Sequence, residues 1–426
     1  MPLSKSLDND SLSFNHFLNK LLLGIVLLFS VLALAQDSAR RPASPEVTVF
    51  VGAKVYTSPS TPPISDAVIL IQNDRILKVG SRGGVKIPKR ANRVDCSGQV
   101  IVPGLWNTHV HFYKPEWANA GTTSADQLSS QLASMLTKWG FVHVVDTGSF
   151  LSNTLALRKR IEAGEVKGPT ILTAGEPLYP AGGVPEVVKQ LHLPEAANPQ
   201  QATEWAQKHL ADGADILKVF TGSGYSGQVT IMSADIVRAV VTEAHKKGKL
   251  VFAHPQNVAG RKAAVEGGVD VLAHTPDPSG DDNAQMIATL KTQNIIVIPT
   301  LKLWGVDVKP EDRDRVVNNG VQEIRAINQA GATIMFGTDV GYMDDPDPTE
   351  EYRLMARAGM SFPQILASLT TTPAHLFKVG KQTGLIEPGF DADMVFLGGD
   401  PSSDITALAN VKRAMVRGRT IFAAGN

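Results

Sequence analysis

The sequence predicts an α/β protein: a (β/α)8 TIM barrel with a small β-sandwich formed from its N- and C-terminal segments. Three observations carry the prediction. Through the middle of the chain, helical stretches and Gly breaks alternate with eight short apolar runs: VIVPGLWNTH, FVHVVDTG, TILTAG, ILKVF, LVFAH, VLAH, IIVIPT and ATIMFGTD. Buried parallel strands read as continuous apolar runs, and eight strand and helix units over this length match a closed barrel. Both ends of the chain are instead short, β-rich and punctuated by turns, and ends of that kind commonly meet in one module. Finally, no Gly-rich phosphate loop follows the first run, which disfavours an open doubly wound sheet.

Taken in order, residues 1–35 read as a signal peptide. Lys5 and Lys20 precede the apolar run Leu21 to Ala35, and Ala33-Leu34-Ala35 before Gln36 fits small-x-small cleavage. The run falls short of the roughly 20 residues a spanning helix needs, so a removed secretory signal is favoured over a retained anchor. Residues 36–45 form a lead-in. Residues 46–103 and 380–426 supply the composite sandwich, with VTVFVGAKVY, AVILIQNDRILKVG and its NDR turn at one end and ADMVFLGGD and VKRAMVRGRTIFAAG at the other. Residues 104–379 form the barrel, with helices expected over Ser124 to Trp139, Ala234 to Lys247 and Arg313 to Ala330.

Composition narrows the function. Lys+Arg and Asp+Glu both number 41, which removes the electrostatic argument for nucleic acid and leaves a small molecule or dipeptide as the expected partner. Cys96 is the sole cysteine, so no intramolecular disulfide forms. Export without disulfides is compatible with a periplasmic or secreted protein that meets no membrane after signal cleavage. The sequence leaves assembly into a homo-oligomer open.

Functional residues of such a barrel stand at the C-terminal strand ends. Strand one ends in His109 and His111, which point to the same side of an extended segment and can share one metal ion. Strand four carries Lys218, strand five ends in His254, strand six in His274 and strand eight in Asp339. A lone strand-end His is ordinarily structural and a lone Asp ordinarily a helix cap, but the joint placement points to a metal centre. Lys218 is the unusual member. Burial between Leu217 and Val219 beside cations disfavours an ammonium, and a neutral amine can take up carbon dioxide to give a carbamate whose oxygens bridge two metals. The competing reading pairs Lys218 with a carboxylate such as Asp215.

The order H-x-H, Lys, His, His, Asp, opening with VPGLWNTHVH and followed by GLIEPGFDADMVFL, resembles the amidohydrolase superfamily of metal-dependent hydrolases. Within it, the chain is similar to the imidazolonepropionase-like branch that includes Xaa-Pro dipeptidases. The resemblance implies two divalent metal ions, zinc by preference from the nitrogen-rich ligands, with manganese, cobalt or iron also compatible. It implies that His109, His111 and Asp339 hold the first ion, His254 and His274 the second, and a carboxylated Lys218 bridges them. A hydroxide between the metals would be the nucleophile, and Asp339 would orient it and pass its proton to the leaving nitrogen. One departure is Asn107, which stands where the family commonly has Asp.

The implied reaction is cleavage of an amide or peptide bond in a dipeptide or N-acyl amino acid. Tyr225 in FTGSGYSG resembles the position of a tyrosine that contacts the substrate carboxylate in prolidase-like relatives. Tyr179 in AGEPLYPAGG and Lys302 after strand seven are further substrate-binding candidates. His143 and Asp146 are unassigned, and His375 is read as structural. Two rival functions stand beside this one: a mononuclear cyclic C–N hydrolase or deaminase of the same superfamily, with Lys218 unmodified, and a non-catalytic extracytoplasmic binding protein on the same scaffold.

Overall fold

The computed structural model describes residues 47–224, 228–274, 283–306 and 308–425, which fall in one compact unit. The expected signal peptide and lead-in lie outside the described residues, as does Tyr225. Among the described residues no helix is long and apolar enough to cross a membrane.

The N-terminal part supplies β1 (Val47–Val55), β2 (Ile64–Gln72), β3 (Arg75–Ser81), β4 (Asn92–Asp95) and β5 (Val100–Pro103). The barrel strands follow: β6 (Leu105–Val110), β7 (Phe141–Asp146) and β8 (Thr170–Thr173), the short β9 (Tyr179–Pro180) and β10 (Glu195–Ala196), then β11 (Leu217–Phe220). After a two-strand hairpin, β12 (Gly222–Ser223) and β13 (Thr230–Ile231), come β14 (Val251–His254), β15 (Val271–Ala273) and β16 (Ile296–Ile298). The C-terminal part adds β17 (Met394–Leu397), β18 (Val411–Val416) and β19 (Arg419–Ala423).

The terminal strands form a single eight-stranded sheet in the order β19-β18-β17-β5-β1-β2-β3, with β4 also paired to β1. Pairing of β5 with β17 joins the two ends of the chain. Side chains alternate across β2: Ala67, Ile69 and Ile71 enter one apolar core with Phe50, Met394 and Phe396, while Val68 and Leu70 pack with Val49 and Val85 on the other face. Both faces are therefore covered, which explains an uninterrupted apolar run where a half-exposed strand would alternate. The NDR turn is a two-residue hairpin, with Asn73 at φ 55° in the left-handed region that Asn tolerates.

In the barrel, β6, β7 and β8 pair in parallel, and β11, β14, β15 and β16 do likewise. Backbone bonds from Asp215 and Ile216 to the Thr173 carbonyl join the two groups, at 2.8 and 3.4 Å. The eighth run is not a regular strand, yet it closes the ring. Met335 N–H donates to Val297 on one side, and Thr108 N–H to Phe336 and His111 N–H to Val340 on the other, each at 2.9 Å. Its irregularity has a local cause: a Cβ on Gly337 would lie 2.5 Å from Ile298 and 2.8 Å from the His109 Cβ, so the segment packs closer than a side chain permits.

The expected helices form at Ala125–Met135, Ala234–Lys246 and Pro310–Ala330. Ser124 and Ser233 cap the first two by accepting the Gln127 and Ile236 N–H groups. His143 sits at the floor of the barrel, stacked on Trp106 and bonded through Nε2 to Asp393 Oδ2 at 3.0 Å, and so ties β7 to the segment entering β17.

Candidate metal centre

The strand ends bring His109, His274 and Asp339 together with one donor atom from each within 4.8 Å of the others. His111 joins them. Its Nε2 lies 2.8 Å from Asp339 Oδ1, with His109 Nε2 at 3.4 Å from the same oxygen and His274 Nε2 at 3.9 Å from Oδ2. His254 stands beside His274, ring centroids 4.8 Å apart, and lines one cavity with the other four and with Lys218. The six candidate ligands thus converge on one place from the ends of four strands and the closing segment.

Hydrogen bonds behind the rings settle which nitrogen carries the proton. His111 Nδ1 lies 2.8 Å from the Gly148 carbonyl, which can only accept, so Nδ1 holds the hydrogen. Thr300 Oγ1 donates its one proton to the Pro299 carbonyl and therefore accepts from His274 Nδ1 at 2.6 Å. Both rings consequently turn an Nε2 lone pair towards the Asp339 carboxylate. With the rings neutral, acceptor faces acceptor at 2.8 Å, an arrangement that a bound cation would satisfy. A proton is disfavoured on most of these rings: burial, and then the neighbouring cations, push His109 and His274 well below the ordinary imidazole value, and burial takes His254 to about 3. Neutral imidazoles with a carboxylate are a donor set that suits a divalent metal ion. Buried His109 Nδ1 also has no protein partner among the described residues.

Lys218 is 1% exposed, and burial lowers its pKa to about 7 although Asp339 opposes the shift. Asp215, the competing partner, instead accepts from Arg158 and from the Thr173 N–H. The chain matches the amidohydrolase family over residues 100–421.

The chain belongs to the amidohydrolase family.

It is accordingly a hydrolase, and its relatives act on carbon–nitrogen bonds. It is 22% identical to the ochratoxinase of Aspergillus niger over 400 residues, covering 82% of this chain and 81% of that protein. Among solved structures, it resembles a Xaa-Pro dipeptidase with methionine bound in the active site: TM-score 0.75, 23% identity, 89% of this chain and 100% of the other covered. The crystal structure of A. niger ochratoxinase gives a TM-score of 0.72 at 20% identity, covering 90% of this chain and 97% of the other.

The supports of the amidohydrolase centre include residues that no motif announces. Glu351, buried in the helix Thr349–Arg357, accepts the N–H groups of Leu301 and Lys302, both at 2.8 Å, and burial raises its pKa to about 7. It holds the turn that begins at Thr300, the residue behind His274. Asn107 accepts from the His109 and Thr338 N–H groups and donates to Thr338 Oγ1 at 2.7 Å, linking β6 to the closing segment. His274, Thr300 and Asp339 all have positive φ, at 73°, 44° and 62°, a concentration of backbone strain expected at a working site. Thr300→Val keeps the shape and β-branching at that φ but removes the acceptor behind His274. Metal affinity in a chelator titration should fall roughly 10- to 100-fold, with Thr300→Ser restoring it.

Of the substrate-side candidates, Tyr179 lines the cavity and stacks on Phe220, centroids 4.2 Å apart. Lys302 is engaged elsewhere: its Nζ donates to Asp345 Oδ2 at 2.8 Å and to the Asp347 carbonyl at 2.7 Å, so the structure does not bring it to the cavity. Asp146 accepts from Ser149, Thr154 and Thr173 hydroxyls and braces the β7 and β8 ends. The cavity has a volume of about 550 Å³, ample for a small-molecule ligand. Much of its lining comes from the connections that follow the strands, including short 3-10 helices, at Phe150, Leu191, Leu193, Leu303 and Trp304, none of which stands out in the sequence.

Proposed function

We propose that this amidohydrolase is a binuclear metal-dependent hydrolase that cleaves an amide bond in a dipeptide or an N-acyl amino acid. The observation that carries the reading is the convergence of His109, His111, Lys218, His254, His274 and Asp339 on one cavity, with a buried lysine that makes no ion pair among the described residues. His109, His111 and Asp339 would hold one ion and His254 and His274 the other, with zinc favoured by the imidazoles. When bound, the ions supply Lewis acidity and lower the pKa of water towards neutrality.

The chain's own residues supply the rest. Lys218, with a pKa of about 7, is substantially neutral near that pH. Its amine can attack carbon dioxide, forming an N–C bond and releasing one proton, and so present a carbamate where an ammonium would repel cations. Asp339 is fixed by its N–H bond to the His109 carbonyl at 2.9 Å and by its left-handed backbone. Its carboxylate accepts a proton from the attacking water and returns it to the amide nitrogen as the C–N bond breaks and the new C–O bond remains. Net, one water is consumed and an acid and an amine leave. Export to the periplasm or beyond is part of the proposal, on the strength of the apolar run 21–35 and its small-residue end.

A second reading, a mononuclear hydrolase of cyclic C–N bonds, draws support from the compactness of the His109, His274 and Asp339 trio. A panel of dipeptides, N-acyl amino acids and cyclic amides, offered to metal-loaded protein, tests the choice. Turnover of linear amides supports the proposal. Turnover confined to cyclic substrates supports the second reading, and no turnover at all would favour a binding protein on this scaffold.

A further inference from the structure

The lining of the cavity says more about the substrate than its metal centre does. Apart from the candidate ligands Lys218 and Asp339, no described lining residue carries an Asp, Glu, Lys or Arg side chain. The walls are instead apolar, with Phe150, Leu191, Leu193, Val229, Leu303 and Trp304 among them. The mouth has the same character. Four large apolar side chains are exposed among the described residues, and two of them, Val306 and Tyr342, line this cavity at 37% and 42% exposure. A third, Ile231, pairs with Gly222 in the β12–β13 hairpin, next to the lining residue Ser223 and two residues from the lining residue Val229.

Exposed apolar groups clustered at one opening mark a binding surface, because a ligand that covers them removes their surface from water. Beyond the candidate metal ligands, the described walls offer no ion partner to a charged group. A zwitterionic dipeptide would desolvate an ammonium or a carboxylate against leucine, valine and aromatic rings, which is costly.

We infer that the substrate carries, on at least one side of its scissile amide, an uncharged apolar group the size of an aromatic ring or larger. The inference rests on the amide-hydrolase reading above and narrows it from dipeptides in general to bulky hydrophobic amides. A cavity of about 550 Å³ has room for such a group beside the reacting bond.

Two matched series test it on the metal-loaded full chain. In the first, the amine is glycine and the acyl group runs from acetyl through benzoyl to naphthoyl. In the second, the acyl group is acetyl and the amine runs from glycine to phenylalanine and its uncharged amide. In at least one series kcat/KM should rise about 100-fold or more from the smallest member to the largest, and Ala-Gly should be poorer than its bulky blocked counterparts. Val306→Asp, at an exposed position, should cut the naphthoyl-to-acetyl ratio of kcat/KM about tenfold, and Val229→Asp serves as an independent second variant. Measurable but flat hydrolysis across both series overturns the apolar-substrate inference and leaves the amide-hydrolase reading standing. Absence of hydrolysis throughout, with the protein folded and its metal content confirmed, overturns that underlying reading instead.

Discussion

Lys218→Ala is expected to lose about 1,000-fold or more in kcat/KM while the fold persists. The magnitude follows from the several kcal/mol that charge stabilisation by a correctly held metal contributes to such reactions, each ~1.4 kcal/mol being a factor of ten. The variant should survive folding because an ammonium would be unfavourable where Lys218 stands. Lys218 is 1% exposed between the buried Leu217 and Val219, and burial already draws its pKa down to about 7. Removing it relieves a desolvation penalty that offsets part of the packing lost to the smaller side chain. A short carboxylic acid such as acetate matches the four heavy atoms removed and offers two oxygens, as a carbamate would. Partial recovery of activity with millimolar acetate would identify the lost function as a bridging carboxylate. Unimpaired activity in Lys218→Ala would refute the bridged centre.

The second large effect is expected at Asp339. Asp339→Asn keeps the size and the backbone bond to His109 but removes both the charge and the basic oxygen. A loss of roughly 100- to 10,000-fold in kcat is expected, the range for removing a general acid–base, with a smaller change in KM. Metal content must be measured alongside, because Asp339 Oδ1 lies 2.8 Å from His111 Nε2 at the heart of the donor cluster. A variant that retains its metal and its activity would show that the proton moves through another group.

Much of this centre is legible in the chain because strand ends in a parallel barrel all face one way. His109, His111, His254, His274 and Asp339 each follow an apolar run, and that placement alone predicts their meeting. What the sequence hides are contacts made across long separations by ordinary-looking residues. Glu351 reaches back about 50 positions to the Leu301 and Lys302 amides, and nothing near it in sequence marks it as a support for Thr300. Lys302 illustrates the opposite case: its position after a strand suggests the pocket, but the carboxylate and carbonyl of Asp345 and the carbonyl of Asp347 take its three donors. The terminal strands were readable as β-structure, although their arrangement as one sheet with both faces covered depends on the pairing of β5 with β17. Residues of the connections that shape the cavity, such as Leu193 and Trp304, have no periodicity to expose them.

The proposed centre holds two metal ions between these six side chains, with Lys218 modified to bridge them. Metal analysis of the purified full chain, with intact-mass measurement under native conditions, tests it most directly. About two divalent ions per chain are expected, with a mass increment of one carbon dioxide that disappears in Lys218→Ala. A single ion per chain with an unmodified Lys218 would contradict it.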